Sequence, residues 1–152
     1  MRERSTTLGL VALGAVAVLA GCGSSGPSKA EFAKKADALC AATNRAHPPK
    51  PNPKNVKAAA AIQAEEISIR TQLDKQLKAL KAPGSEKSEI AAYNAGTQRI
   101  IAAITTMKND ALAGDEKKYT TDSQAFQAAS AAREKIAIKL GFKTCGRRNP
   151  VQ

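Results

Sequence analysis

The chain has 152 residues and carries 24 lysines and arginines against 13 aspartates and glutamates, so its formal net charge is +11. It contains one histidine, three cysteines, three phenylalanines, two tyrosines and no tryptophan. This length predicts a single domain, and the scarcity of histidine and aromatic residues excludes most catalytic triads, histidine-rich metal sites and base-stacking surfaces.

The N-terminal segment has the layout of a signal peptide. Two arginines within residues 1–4 precede an uncharged apolar run from Leu8 to Ala20, which is shorter than the roughly 20 residues needed to cross a bilayer. Leu19-Ala20-Gly21-Cys22 closes the run and resembles a bacterial lipobox. This resemblance implies that residues 1–21 are removed and that Cys22 is acylated. The alternative is an ordinary secretory signal cut near Ala15-Val16-Ala17, with Cys22 an unrelated thiol.

A lipid on Cys22 would hold the protein at the outer face of the cell membrane. Residues 22–27 then form the lipidated cysteine and a short Gly/Ser linker, and residues 28–152 form one helical domain. Ser28 and Glu31 have the spacing of a capping box and predict a first helix that ends near Ala46. The segment from His47 to Lys54 contains four prolines, which end the helix and favour an extended polyproline-like backbone.

Three further helices are predicted, each with a capping residue at its start. Asn55 begins the second helix, which continues to Lys81 before Pro83-Gly84. Ser85 begins the third, which continues to about Leu112 and is ended by Gly114. The apolar face predicted for the second helix consists of Ile62, Ile69, Leu73, Leu77 and Leu80.

Asp115 is expected to cap a fourth helix that ends at Leu140. Gly141-Phe142 fits a Schellman ending, with glycine in the left-handed conformation and the next apolar residue folded back. No strand-like alternation competes with these patterns. The predicted fold class is therefore all-α, a four-helix bundle.

Cysteine pairing constrains the order of the helices. Outside the cytoplasm, Cys40 and Cys145 are expected to form a structural disulfide without a redox role. The bridge would join the first helix to the C-terminal tail and contribute on the order of 4 to 5 kcal/mol. In a plain up-down-up-down bundle the two cysteines lie at different heights, so we expect the proline segment to cross the length of the bundle. The first, second and fourth helices would then run parallel.

The two ends of the domain support a family resemblance. Phe32-Ala33-Lys34-Lys35-Ala36-Asp37-Ala38-Leu39-Cys40 and Leu140-Gly141-Phe142-Lys143-Thr144-Cys145-Gly146, behind a lipobox, resemble segments of small Ala-rich helical lipoproteins exported by actinobacteria. The resemblance implies a cell-envelope lipoprotein with a disulfide-closed helical domain. It implies no activity and no catalytic residue.

The residues offer little catalytic or metal chemistry. His47 lies beside two prolines in a predicted exposed loop, and a single histidine excludes Glu-x-x-His pairs on two helices. Glu65-Glu66 and Asp115-Glu116 are the candidate paired carboxylates. The four-residue spacing of Glu66 with Arg70, and of Asp74 with Lys78, is typical of a salt-bridged solvated face. Asp115 and Glu116 suit the N-terminus of a helix. We expect no cofactor and no metal.

The least compensated basic residues lie toward the C-terminus, at Lys135, Lys139, Lys143, Arg147 and Arg148, with Lys75, Lys78 and Lys81 on the second helix. Solubility and compensation of the helix dipole are the simplest explanations. An exported, membrane-tethered basic domain also meets anionic lipid head groups, anionic wall polymers and envelope proteins. Nucleic acid is disfavoured because few aromatic residues are present.

We therefore expect a non-catalytic, membrane-anchored binding or scaffold module. The alternative is a carrier of an apolar ligand between the helices, which needs an interior cavity. An enzyme is the third hypothesis and would need a cleft with convergent carboxylates.

Overall fold

The structure, a computed structural model, describes residues 26–146 and confirms the all-α fold. No strand occurs among these residues. A single 3₁₀ turn precedes the third helix. The four helices are α1 (Lys29–Ala46), α2 (Val56–Lys78), α3 (Lys87–Ala113) and α4 (Glu116–Lys139).

Three of the predicted helix caps are present. Ser28 Oγ accepts the backbone N–H of Glu31, and Glu31 accepts the N–H of Ser28 at 2.8 Å, which completes the capping box and lowers the pKa of Glu31. The side chains of Asn55 and Asp115 cap α2 and α4 by accepting the backbone N–H groups of Ala58 and Lys118. The cap predicted at Ser85 is wrong. Its hydroxyl donates to the neighbouring Glu86, and the 3₁₀ turn begins α3 instead.

The end of α4 is a Schellman motif, as predicted. Gly141 has φ +80°, and the N–H of Phe142 donates to the carbonyl of Ala137 at 3.0 Å. The side chain of Phe142 is buried against the bundle. Because Gly141 reverses the chain, the tail runs back along α4, and Gly146 lies against Ala137.

The helices alternate in direction along the chain, so the predicted crossover of the proline segment is wrong. Gly26, before α1, lies beside Pro83, after α2. Lys50, after α1, forms an ion pair with Glu65 inside α2. These two contacts make α1 antiparallel to α2.

The disulfide is compatible with this order because α1 is short and the tail turns back. The end of α4 lies beside Ala33, one turn into α1, since a Cβ added at Gly141 would be 3.9 Å from the Ala33 methyl group. Cys40 is seven residues further along, about 10 Å at 1.5 Å per residue. The reversed tail covers that distance. The prediction failed because it assumed helices in full register and a tail that could not return.

Two halves of the bundle differ in how many helices they contain. We define the proximal half as residues 26–40, 74–98 and 133–146, and the distal half as residues 47–65 and 105–125. The proximal half contains most of the buried apolar side chains, among them Phe32, Leu77, Tyr93, Leu140 and Phe142. The distal half lacks α1, and its small core cluster consists of Ala59, Ala60 and Ala111, with Met107 also buried. The exposed proline segment connects α1 to the distal start of α2.

Candidate functional site

The two ends of the described chain are joined in the proximal half. Cys40 and Cys145 form the predicted disulfide, with 5.4 Å between their Cα atoms. Both cysteines are buried. Phe32 of α1 packs on Phe142 of the tail with 5.9 Å between ring centroids. Helix α1 is thus fastened to the tail by a covalent bond and by aromatic packing.

Asp37 adds a polar attachment that sequence reasoning missed. Its carboxylate accepts the backbone N–H groups of Lys143, Thr144 and Cys145 at 2.8, 2.8 and 2.9 Å. Successive amides that converge on one point form an anion-binding concavity. Here the anion is supplied by α1, so the concavity is occupied by the protein's own side chain.

Tyr93 links the tail to the interior. Its hydroxyl donates to the carbonyl of Cys145 at 3.2 Å, and its ring meets the edge of Phe142. The guanidinium of Arg133 lies 5.1 Å from the centroid of the same ring, the geometry of a cation–π contact. Burial raises the pKa of Tyr93, and burial lowers the pKa of Arg133.

The face of α2 predicted to be solvated is largely directed inward. Asp74 is only 5% exposed and accepts from Lys78 at 2.6 Å and from Gln98 of α3 at 2.8 Å. Glu66 and Arg70 pair with each other and are both half-buried. The salt bridges predicted from their spacing are present, but the prediction that this face is solvated is wrong for Asp74.

Lysines are unevenly distributed between the two halves. The proximal half holds ten, namely Lys29, Lys34, Lys35, Lys75, Lys78, Lys81, Lys87, Lys135, Lys139 and Lys143. All ten lysines are exposed. The six carboxylates of this half are Glu31, Asp37, Asp74, Glu86, Glu89 and Glu134.

Two of these six carboxylates are already engaged, because Asp37 accepts tail amides and the buried Asp74 pairs with Lys78. The distal half is close to balanced. Its six lysines are Lys50, Lys54, Lys57, Lys108, Lys117 and Lys118, and its five carboxylates are Glu65, Asp110, Asp115, Glu116 and Asp122.

Three of the five residues predicted to contact anions lie within the described part of the chain, and all three belong to the proximal half. Lys135, Lys139 and Lys143 are exposed near the end of α4 and on the tail. Arg147, Arg148 and the predicted lipidation site Cys22 lie outside the described residues. The first described residue, Gly26, is at the proximal end beside Ala82 and Pro83.

The candidate catalytic groups are not brought together. His47 is exposed at the end of α1. Glu65 and Glu66 pair separately with Lys50 and Arg70. Within residues 26–146, no group of three or more His, Cys, Asp or Glu side chains is arranged to hold a metal ion.

Two open grooves lie on the surface of the bundle. One, of about 290 Å³, separates the C-terminal half of α1 from α2, between Leu39 and Leu73. The other, of about 500 Å³, lies between α2 and α3 in the distal half. In the interior, the side chains of Ile100, Ile104 and Leu140 are at most 1% exposed.

Comparison with known proteins gives no relative from which a function could be transferred: no family model, no curated protein and no solved structure matches this chain. Among the described helices, none is both long enough and apolar enough to cross a membrane.

Proposed function

We propose that this protein is a cell-envelope lipoprotein, acylated at Cys22 and held at the outer face of the membrane, whose proximal half associates with anionic lipid head groups without a catalytic role. One observation carries the proposal. Gly26, which follows Cys22 by four residues, lies at the end of the bundle where the lysines are in excess. A tether at Cys22 would therefore hold the basic half against the membrane.

Electrostatic attraction supports this arrangement. A basic segment near an anionic membrane gains about 1 kcal/mol for each Lys or Arg close to the surface. A flexible linker of five residues, the length of 23–27, would span roughly 12 Å on average, which is similar to the Debye length of about 8 to 10 Å. The proximal lysines would thus act where the surface potential is strong. The lipobox and the resemblance to small exported lipoproteins point to the same location.

Binding of the unlipidated domain to vesicles tests the electrostatic part. Residues 26–152 contain every described helix and both cysteines of the disulfide, so this chain suits co-sedimentation with anionic or zwitterionic vesicles. We expect salt-sensitive binding to anionic vesicles. Replacing Lys87, Lys139 and Lys143 by Gln should weaken binding at least about tenfold.

A matched control separates location from net charge. The triple replacement of Lys54, Lys117 and Lys118 by Gln removes the same charge from the distal half. It should leave binding within about twofold of the unmodified chain. Equal losses in both variants, or no binding to anionic vesicles at low salt, would contradict a membrane-facing proximal half. Selective binding to anionic wall polymer or to an envelope protein would assign the surface to that partner instead.

Acylation needs its own experiment. Cells that express the full chain are grown with an alkyne-tagged fatty acid, and the purified protein is examined for the tag and for its N-terminal residue. We expect the tag on a chain that begins at Cys22, and its loss in the Cys22→Ala variant. A tag retained in that variant, or a mature chain that begins near residue 18, would contradict the anchor.

A further inference from the structure

An open groove lies between α2 and α3 in the distal half. Its lining consists of Lys57, Ala60, Ala61, Ala64, Lys108 and Leu112, and its volume is about 500 Å³. Small-molecule sites typically have volumes of roughly 300 to 1,000 Å³. We call this feature the α2/α3 groove.

The floor and one wall of the α2/α3 groove are apolar. Three alanine methyl groups line the α2 side, and Leu112 lines the α3 side. Leu112 is 63% exposed, whereas the large side chains Ile100 and Ile104 on the same helix are fully buried. An exposed leucine beside an alanine-lined groove is a surface that an apolar chain can cover.

The charges at the rim have one sign. Lys57 on α2 and Lys108 on α3 line the groove, and no carboxylate does. Among the described residues, neither lysine forms a salt bridge, in contrast to Lys50, Lys78 and Lys118. The aliphatic part of Lys57 lies over Gly114, so close that a Cβ there would come within 3.0 Å of its Cε. Lys57 thus packs on the C-terminal end of α3 beside the groove.

We propose that the α2/α3 groove binds a single-chain anionic amphiphile, with its acyl chain along the alanines and Leu112 and its carboxylate or phosphate head group at Lys57 and Lys108. The groove lies in the distal half, away from the basic proximal half. The bound molecule would therefore be a single amphiphile held by the domain, distinct from the lipids of a bilayer beneath it. This proposal does not depend on acylation of Cys22.

An acyl chain fits the groove better than a further helix does. Two packed helices have axes 8 to 10 Å apart. A docked helix would span both rims and bring its own side chains over the two lysines, which calls for acidic residues at matching positions. A flexible chain needs only the narrow apolar floor and one anionic end. Docking of a second copy of this protein is the principal competing outcome.

Binding of 11-(dansylamino)undecanoic acid to residues 26–152 tests the proposal. Its fluorescence rises when the probe enters an apolar site, and titration below its micellar concentration gives the stoichiometry. We expect saturable binding of one molecule per chain. The double variant Lys57→Gln/Lys108→Gln should bind at least tenfold more weakly, and Lys54→Gln/Lys117→Gln should bind as the unmodified chain does.

Two further measurements separate the contributions of chain and head group. Ala61→Leu should fill the groove and abolish binding, while far-ultraviolet circular dichroism and the melting temperature show that the exposed helix position tolerates the change. Competition by dodecanoate and by dodecyl phosphate, but not by dodecanol, would show that an anionic head group is required and which one is preferred.

Several outcomes would overturn the proposal. These are the absence of saturable binding, equal weakening in both lysine pairs, or competition by dodecanol as strong as that by dodecanoate. If the probe does not bind but the chain dimerises, and Ala61→Leu abolishes dimerisation, the groove is an interface between copies of the protein. Because the vesicle assay uses Lys87, Lys139 and Lys143, it can fail or succeed independently of this result.

Discussion

At the scale of single residues, Asp37 fastens the first helix to the end of the chain through one carboxylate. Three consecutive amides of the tail donate to its two oxygens. Hydrogen bonds to a charged acceptor contribute more than neutral ones, about 1.5 to 3 kcal/mol each where they are shielded from water. Asp37 is partly exposed, so solvent reduces this contribution.

Replacement of Asp37 by Asn should weaken this attachment without changing side-chain size. Only one of the two oxygens remains, and the amide nitrogen cannot accept the N–H groups of the tail. We expect the free energy of unfolding to fall by about 2 kcal/mol in urea titrations. The exposed Glu89→Gln variant, which removes the same charge, should lose less than about 1 kcal/mol. Equal losses would show that Asp37 acts only through net charge.

This role could not be predicted from the sequence. The partners of Asp37 are backbone groups 106 to 108 residues further along, and they carry no side-chain signature. Their direction is set by the reversal at Gly141, whose left-handed conformation was predicted. The local turn was predictable, whereas the residue that it faces depends on the register of α1 against α4.

Asp110 and Asp122 form a second residue-scale feature in the distal half. Interaction with the carboxyl group of Asp122 raises the pKa of Asp110 above its ordinary value of 3.8, and burial acts in the same direction. Asp115 also raises this pKa, and Lys118 lowers it. The folded protein therefore binds this proton more tightly than the unfolded chain does.

The sign of the pH effect follows from that shift. The stabilisation is fully present below pH 3.8 and is lost as the pH rises through the raised pKa of the folded state. The charge of Asp122 disfavours the ionised form of Asp110, and this repulsion acts above the raised pKa of Asp110. Asp122→Asn should therefore melt at a higher temperature than the unmodified chain near pH 7, and this advantage should shrink toward pH 3.8. A melting temperature unchanged at both values would contradict an interaction between Asp110 and Asp122.

At the scale of helices, α1 differs from the other three in its attachment. It is the shortest, and the exposed proline segment that follows it makes one ion pair with α2, between Lys50 and Glu65. Its buried side chains Phe32, Ala36 and Cys40 all face the region closed by the tail. We therefore expect the stability of α1 to depend on the disulfide more than the stability of α2, α3 or α4 does.

Removal of the disulfide tests that dependence. In Cys40→Ser/Cys145→Ser, the unfolding free energy should fall by about 4 kcal/mol, because the denatured chain gains the freedom of a loop of 105 residues. Hydrogen exchange should accelerate first across α1, while α3 keeps its protection. Reduction of the unmodified protein should reproduce the pattern. A uniform loss of protection in all four helices would show that α1 is an integral part of one cooperative unit.

Helix positions and caps were largely predictable, whereas the environment of their faces was not. Glu66 and Arg70 are four residues apart, and so are Asp74 and Lys78. This spacing is the same whether a pair lies in solvent or between helices, so it does not reveal the environment of the pair. Helix α2 contacts α1 and α3 and reaches α4 through a hydrogen bond from Gln63 to Tyr119. A helix with three neighbours has more than one inward stripe, and the apolar periodicity of α2 identified only the stripe that includes Ile69, Leu73 and Leu77.

At the scale of the whole molecule, the bundle is a rod with unlike ends. Helix α3 has 27 residues and so spans about 40 Å. The basic half and the start of the described chain share one end, while the α2/α3 groove lies toward the other. A separation of about 40 Å is several Debye lengths at physiological salt, where that length is about 8 Å. Lysines of the distal half would therefore contribute little to attraction by a surface at the proximal end.

Orientation on a membrane is the consequence of this asymmetry. The full chain, isolated with its lipid and reconstituted in anionic vesicles, is labelled through Lys87→Cys or through Lys117→Cys, and a quencher is attached to the lipid head groups. We expect stronger quenching at position 87 than at position 117, because the lysines of the proximal half draw that end to the surface. In zwitterionic vesicles the tether remains but the attraction is lost, so the difference should decrease. High salt should decrease it in anionic vesicles for the same reason. Equal quenching at the two positions in anionic vesicles would mean that the rod does not stand on its basic end, even if Cys22 carries a lipid.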